Sequence, residues 1–99
     1  MDASDIEKKI EENKAYIKRA YHIKEIGLFG SYARGEQTAS SDIDILVEFE
    51  KGHKDFFNYM RLKYYLEELL GRKVDLVKKN AIKTRLRDRI LGEVKYVKI

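Results

Sequence analysis

Asp42 and Asp44 stand one residue apart in the run Asp-Ile-Asp-Ile-Leu-Val-Glu-Phe, residues 42–49. In an extended strand, residues two apart project to the same side with Cα atoms about 6–7 Å apart. Carboxylates at that spacing repel each other and can converge on a shared cation. A lone Asp-x-Asp has a plain alternative, because strand-end aspartates commonly cap turns. Gly30-Ser31 is the second feature, placed between the strand-like run 23–29 and a short helical segment running from Ser31 to Gly35. A strand-to-helix junction offers free backbone N–H groups to an anion, glycine permits close approach, and the Ser31 hydroxyl adds a donor. A phosphate cradle beside paired carboxylates is what a metal–nucleotide complex requires. Asp75, centred in Val74-Asp75-Leu76, is the third feature. If its strand lies beside 42–49, three carboxylates share one surface. The third can complete a second metal site and take the proton of an attacking hydroxyl. Taken alone, Asp75 reads as a surface aspartate.

These residues need a scaffold, and the hydrophobic pattern supplies one. Ser4 and Glu7 have the spacing of a capping box, and Ile6, Ile10, Ile17 and Tyr21 recur at near-helical intervals, which predicts a helix over 5–20. Residues 23–29 read as a strand. In 42–49, Ile43, Ile45, Val47 and Phe49 take one face while Asp42, Asp44, Leu46 and Glu48 take the other. Burial of the apolar face fixes the register, since a one-residue slip would bury the carboxylates. After a turn at Lys51-Gly52-His53, Asp55 caps a helix whose Phe56, Tyr59, Leu62, Leu66, Leu69 and Leu70 form a stripe ending at Gly71. Phe56, Tyr59, Leu62 and Leu66 are expected in the core. A strand over 73–77 follows. Asn80 is expected to cap a last helix carrying Ile82, Leu86 and Ile90 and stopped by Gly92, with 94–99 as an edge strand. Strands interleaved with helices predict an α+β fold, a small mixed sheet backed by helices, in a single domain spanning 1–99.

Composition narrows the chemistry. There is no cysteine among the 99 residues and histidine occurs only at 22 and 53, so thiolate and His-based zinc sites are not expected. A metal would be held by oxygen, which suits Mg²⁺ or Mn²⁺. The first twelve residues lack an apolar run, and none elsewhere could span a bilayer, so a cytoplasmic location without membrane contact is expected. Charge is uneven: residues 1–60 are net −3 and residues 61–99 net +7. The row Lys78, Lys79, Lys83, Arg85, Arg87, Arg89 spreads round a helix rather than forming one stripe. It reads as a solvated or partner-facing surface in preference to a nucleic-acid site. Tyr32 borders the cradle and is expected to pack; His22 and His53 are expected to be exposed or turn residues.

Gly30-Ser31, ten residues, then Asp42-Ile43-Asp44 resembles the Gly-Ser-x10-Asp-x-Asp signature of the DNA polymerase β-like nucleotidyltransferase superfamily. The flanks, Leu28-Phe29-Gly30-Ser31-Tyr32-Ala33-Arg34-Gly35 and Ser40-Ser41-Asp42-Ile43-Asp44-Ile45-Leu46-Val47, are similar to the stand-alone minimal nucleotidyltransferase (MNT) family. The resemblance implies that fold and a Mg²⁺-dependent transfer of a nucleoside monophosphate, AMP from ATP being expected, to a hydroxyl. Members of the family are commonly antitoxins encoded beside HEPN-domain ribonuclease toxins, and several transfer AMP to a toxin tyrosine. By resemblance Gly30 and Ser31 bind phosphate, and Asp42 and Asp44 are metal ligands. Asp75 matches the third carboxylate by its place in the following strand, and two Mg²⁺ ions are implied, with Mn²⁺ as a substitute. Arg34, one turn past Ser31, could reach triphosphate oxygens; a salt bridge to Glu36 or a loop carboxylate is its alternative.

Larger family members bind the acceptor with a second domain. With no such segment after Ile99, a separate HEPN partner in a hetero-oligomer is expected to supply it. Other functions fit parts of the pattern. The chain could mask its partner without catalysis, or modify a small molecule with a helical partner subunit completing the pocket. RNA binding through the basic second half would show steeply salt-dependent affinity without any need for nucleotide.

Overall fold

The computed structural model describes residues 1–53 and 55–99. In chain order the elements are α1 (Ala3–Glu12), α2 (Lys14–Tyr21), β1 (Ile23–Phe29), α3 (Gly30–Arg34), β2 (Ile43–Phe49), α4 (Phe56–Leu70), β3 (Val74–Lys78), a 3₁₀ turn (Lys79–Ala81), α5 (Thr84–Glu93) and β4 (Lys95–Val97). The strands form one four-stranded sheet in the order β3-β2-β1-β4. β1 is antiparallel to β2 and β4, whereas β2 and β3 are parallel. A parallel pair needs a long crossover, and α4 provides it. The fold is α+β, as the interleaved pattern predicts.

Alternation along the strands decides which face is buried. Ile43, Ile45, Val47 and Phe49 of β2 join Ile23, Ile26 and Leu28 of β1 and Val74 and Leu76 of β3 in the core. Helices α1, α2 and α4 close over them with Ile6, Ile10, Ile17, Tyr21, Leu62, Leu66 and Leu70. Each such aliphatic side chain contributes about 1.5–3 kcal/mol on burial, so the register of β2 is held by its neighbours. The opposite face of the sheet carries Asp44 and Asp75, and α5 lies over that side. β4 reaches the edge of β1 through the pairs Ile26–Val97, Gly27–Tyr96 and Leu28–Lys95. Gly27 matters there: a Cβ would stand 2.6 Å from Val94 Cγ1 and 3.1 Å from the Lys95 carbonyl oxygen. Its absence lets the junction between α5 and β4 press onto the sheet. Among the described residues no helix is long and apolar enough to cross a membrane.

Several local expectations are corrected. The helix expected over 5–20 is two helices that meet at Asn13 (φ −111°, ψ 12°), whose side-chain amide donates to the Lys9 carbonyl at 2.8 Å. Asparagine competes for helix carbonyls in this way, and the chain bends while Ile10 and Ile17 both stay inward. The capping box is formed by Asp2 and Asp5, not Ser4 and Glu7, because the helix starts earlier; the reciprocal hydrogen bonds are both 3.0 Å. Phe56 is 70% exposed instead of core. Asn58 takes the inward position, donating to the carbonyls of Tyr21 (2.8 Å) and His53 (3.0 Å). The buried row of α4 is therefore 58, 62, 66 and 70, which turns Phe56 outward. Tyr59 is half-buried, with its hydroxyl donating to the Leu76 carbonyl. Asn80 does not cap the last helix. It lies in the 3₁₀ turn, and α5 starts at Thr84 without a side-chain cap. Gly92 does not stop α5, which continues to Glu93 before Val94 is pinned against Gly27. Tyr32 is buried, as expected. His22, in the left-handed conformation that ends α2, stacks on His53 at 3.7 Å.

Candidate active site

The site is built where β1 hands over to α3. Phe29 pairs with Asp44 across the antiparallel ladder, so the next residue, Gly30, arrives beside the Asp44 side chain. Gly30 has φ +76°, and a Cβ there would overlap Asp44 Oδ2 and stand 2.8 Å from Asp44 Cγ. Both the backbone conformation and the space demand glycine. Ser31 and Arg34 follow on α3, the latter one turn along.

Asp44 and Asp75 are direct neighbours in the parallel pairing of β2 and β3. Adjacent strands lie about 4.7–4.9 Å apart, and both side chains point away from the core. Burial, first, and then the charge of Asp75 with a carboxyl–carboxyl hydrogen bond push the Asp44 pKa up to about 6; Asp42 adds to this and Arg34 opposes it. Farther along the same face the acids are matched: Lys79 Nζ lies 3.1 Å from Glu25 and 3.9 Å from Glu48. Asp44 and Asp75 instead face each other. Asp42 is exposed and sits just before β2 starts.

A cleft of about 290 Å³ opens over this arrangement. One wall is Phe29, Gly30, Ser31, Arg34 and Asp44; the other is contributed by α5 through Leu86, Arg89, Ile90 and Glu93. Arg34 is held by two carboxylates, with Nε 2.8 Å from Glu36 and Nη1 3.0 Å from Glu93. Glu93 also accepts from the Gly30 N–H at 3.2 Å. The structure thus brings Gly30, Ser31, Arg34 and Asp44 to one cleft and sets Asp75 next to Asp44. Asp42 stays at the solvent edge. Sequence reasoning missed the α5 wall, having placed Leu86 and Ile90 on the last helix without a role at the site and read the basic row as solvated or partner-facing surface. One signal was present: Glu93 is an acid at a helix C-terminus, where the dipole disfavours it, so it needs a partner elsewhere.

The donor set is all oxygen, which suits a hard divalent cation. Among the described residues no three acidic or histidine side chains already stand as a metal cluster. The fit rests on Asp44 and Asp75 standing side by side in the β2–β3 pairing, a close pair of carboxylates whose repulsion a cation would relieve.

Comparison with known proteins agrees with this geometry. The family described as nucleotidyltransferase domain matches residues 6–97. Protein adenylyltransferase MntA of Thermococcus cleftensis is 42% identical over 93 residues, which cover 94% of this chain and 93% of that one. A solved structure described as a candidate minimal nucleotidyltransferase superposes with TM-score 0.80 at 36% identity, covering 96% of this chain and 95% of that one. A chain from the complex of tri-AMPylated Shewanella oneidensis HEPN toxin with MNT antitoxin gives TM-score 0.66 at 26% identity, covering 93% and 71%. On the strength of these matches over nearly its whole length, the chain belongs to the nucleotidyltransferase family in its minimal form and is a nucleotidyltransferase enzyme.

Proposed function

We propose that residues 1–99 form one cytoplasmic nucleotidyltransferase domain that transfers AMP from Mg-ATP to a tyrosine hydroxyl of a cognate HEPN toxin, and so acts as an antitoxin. The observation that carries the chemistry is Asp44 facing the cleft floored by Gly30, with Asp75 as its direct neighbour on β3. The acceptor is supported by a relative named protein adenylyltransferase and by the likeness to a chain of a complex containing an AMPylated HEPN toxin.

In this reading the Gly30 and Ser31 donors hold the distal phosphates, and Arg34 adds positive charge on the same side. Asp42 and Asp44 would hold the nucleotide's Mg²⁺, and Asp44 with Asp75 a second; Mn²⁺ could replace either. When bound, such ions neutralise phosphate charge and acidify the attacking hydroxyl. Asp75 accepts the hydroxyl proton. The tyrosine oxygen bonds to the α-phosphorus, the bond from that phosphorus to the α–β bridging oxygen breaks, and pyrophosphate leaves with the electron pair. Ser31 and Gly30 orient the departing group, which is positioning catalysis of the kind expected for phosphoryl chemistry.

Incubating the protein with Mg-ATP and the HEPN toxin, then measuring the intact mass of the toxin, should show addition of AMP. Complex formation without added mass would refute transfer to the toxin. A second reading, inhibition by masking alone, draws on the exposed aromatic surface of α4, where Phe56, Phe57 and Tyr64 are 70%, 79% and 60% exposed. The double variant Asp42→Asn with Asp44→Asn separates the two. Full neutralisation of the toxin by that variant would favour masking; its loss is expected here.

A further inference from the structure

Glu93 does something in the cleft that the transfer reaction does not require. Its carboxylate accepts from the Gly30 N–H (3.2 Å to Oε1) and from Arg34 Nη1 (3.2 Å to Oε1, 3.0 Å to Oε2). These are two of the donors assigned above to phosphate. A carboxylate oxygen on a backbone amide and a guanidinium occupies the same chemical niche as a phosphate oxygen on the same pair.

The geometry points to Glu93 as a resident anion that closes the phosphate cradle and must be displaced before a nucleoside triphosphate can seat, which deepens the nucleotide-site reading above and rests on it. The contact is built to open. Glu93 is the last residue of α5, where the helix dipole opposes a negative charge, so nothing on its own helix favours it. Among the described residues α5 has no fully buried side chain and no side-chain N-cap, which places it among the less stable elements of the fold. Arg34 is kept in reach by its second partner Glu36 at 2.8 Å, so it stays at the cleft when Glu93 leaves. A triphosphate offers several charged oxygens against one carboxylate. A weak monoanion does not, and the gate therefore discriminates in favour of polyphosphates. Displacement also removes the side-chain contacts that tie the C-terminal end of α5 to Gly30 and Arg34.

The test is binding, independent of turnover. The affinity of the intact protein for a non-hydrolysable ATP analogue with Mg²⁺ is measured by calorimetry for wild type, Glu93→Gln and Glu93→Ala. Thermal melts check that each variant is folded. Removing a charge-assisted contact of this partly exposed kind is expected to tighten binding roughly tenfold in both variants. Wild-type hydrogen exchange should rise at the C-terminal turn of α5 when the analogue binds. Affinity unchanged or weakened in folded variants would overturn the gate while leaving the nucleotide site standing. Absence of binding by all three proteins would remove the nucleotide site itself, and the gate with it.

Discussion

Gly30→Ala is the substitution whose consequences the structure specifies most fully. Two costs arise from one methyl group. The first is conformational: φ +76° is left-handed, and an L-residue there costs about 1–2 kcal/mol. The second is a collision, since the new Cβ overlaps Asp44 Oδ2 and lies 2.8 Å from Cγ and 3.0 Å from Cβ of the same side chain. Asp44 must rotate or the start of α3 must retreat, either of which shifts the cradle relative to the carboxylate by up to about an ångström. Misplacement on that scale costs on the order of 10²-fold in rate. Gly35→Ala is the matched control, with a nearly equal φ of +72° and nothing within 4 Å of its Cβ. It should show the conformational cost without the collision. Thermal melts should fall by about 4–8 °C per kcal/mol in a domain of this size, by a similar step in Gly35→Ala and at least as much in Gly30→Ala. Initial rates of AMP transfer should survive in Gly35→Ala and fall about 10²-fold in Gly30→Ala. Equal activity in the two alanine variants would refute the claim that Gly30 is there to admit Asp44.

Other perturbations reach the site and the core separately. Asp44 binds its proton more tightly in the fold than in the unfolded chain, so its ionisation opposes folding. That contribution favours the fold at pH below the ordinary carboxylate value and is lost as pH rises through about 6. In metal-free protein, Asp44→Asn should therefore be the more stable at pH 8, with the difference from wild type gone near pH 4; lower stability at pH 8 would contradict this. Added Mg²⁺ should raise the melting temperature of wild type at pH 8 and leave Asp44→Asn nearly unmoved. Asn58→Ala strips the side-chain donor from the Tyr21 and His53 carbonyls and should cost about 1–3 kcal/mol, read by urea titration. Phe57→Ser, at a 79% exposed position, should change stability by no more than about 0.5 kcal/mol while weakening toxin association in a pull-down.

What the sequence conveyed depended on how local the cause was. Alternation in 42–49 places Asp44 opposite Ile43 and Ile45 because that face is decided by its own neighbours. Gly30 and Ser31 are likewise read from a junction only a few residues long. The pairing of Asp44 with Asp75 is not local: it arises because α4 carries the chain back to lay β3 parallel to β2, which no spacing between 44 and 75 encodes. The same holds for α5: periodicity puts Leu86 and Ile90 on one helix, but not on the wall of a cleft. Glu93 meets Gly30 where the chain leaves α5, with Val94 beside Gly27. Counting apolar residues places Phe56 inward, whereas the buried position is taken by Asn58, whose amide donates to two carbonyls.

The central claim is that Asp44, with Asp42 and Asp75 beside it, carries out AMP transfer. The most direct measurement is the initial rate at which label from the α-phosphate of ATP, with Mg²⁺ present, reaches a tyrosine of the HEPN toxin, compared between wild type and Asp44→Asn. The account expects stable labelling by wild type and a loss of at least about 10³-fold in the folded variant. Labelling by Asp44→Asn within tenfold of wild type would contradict it.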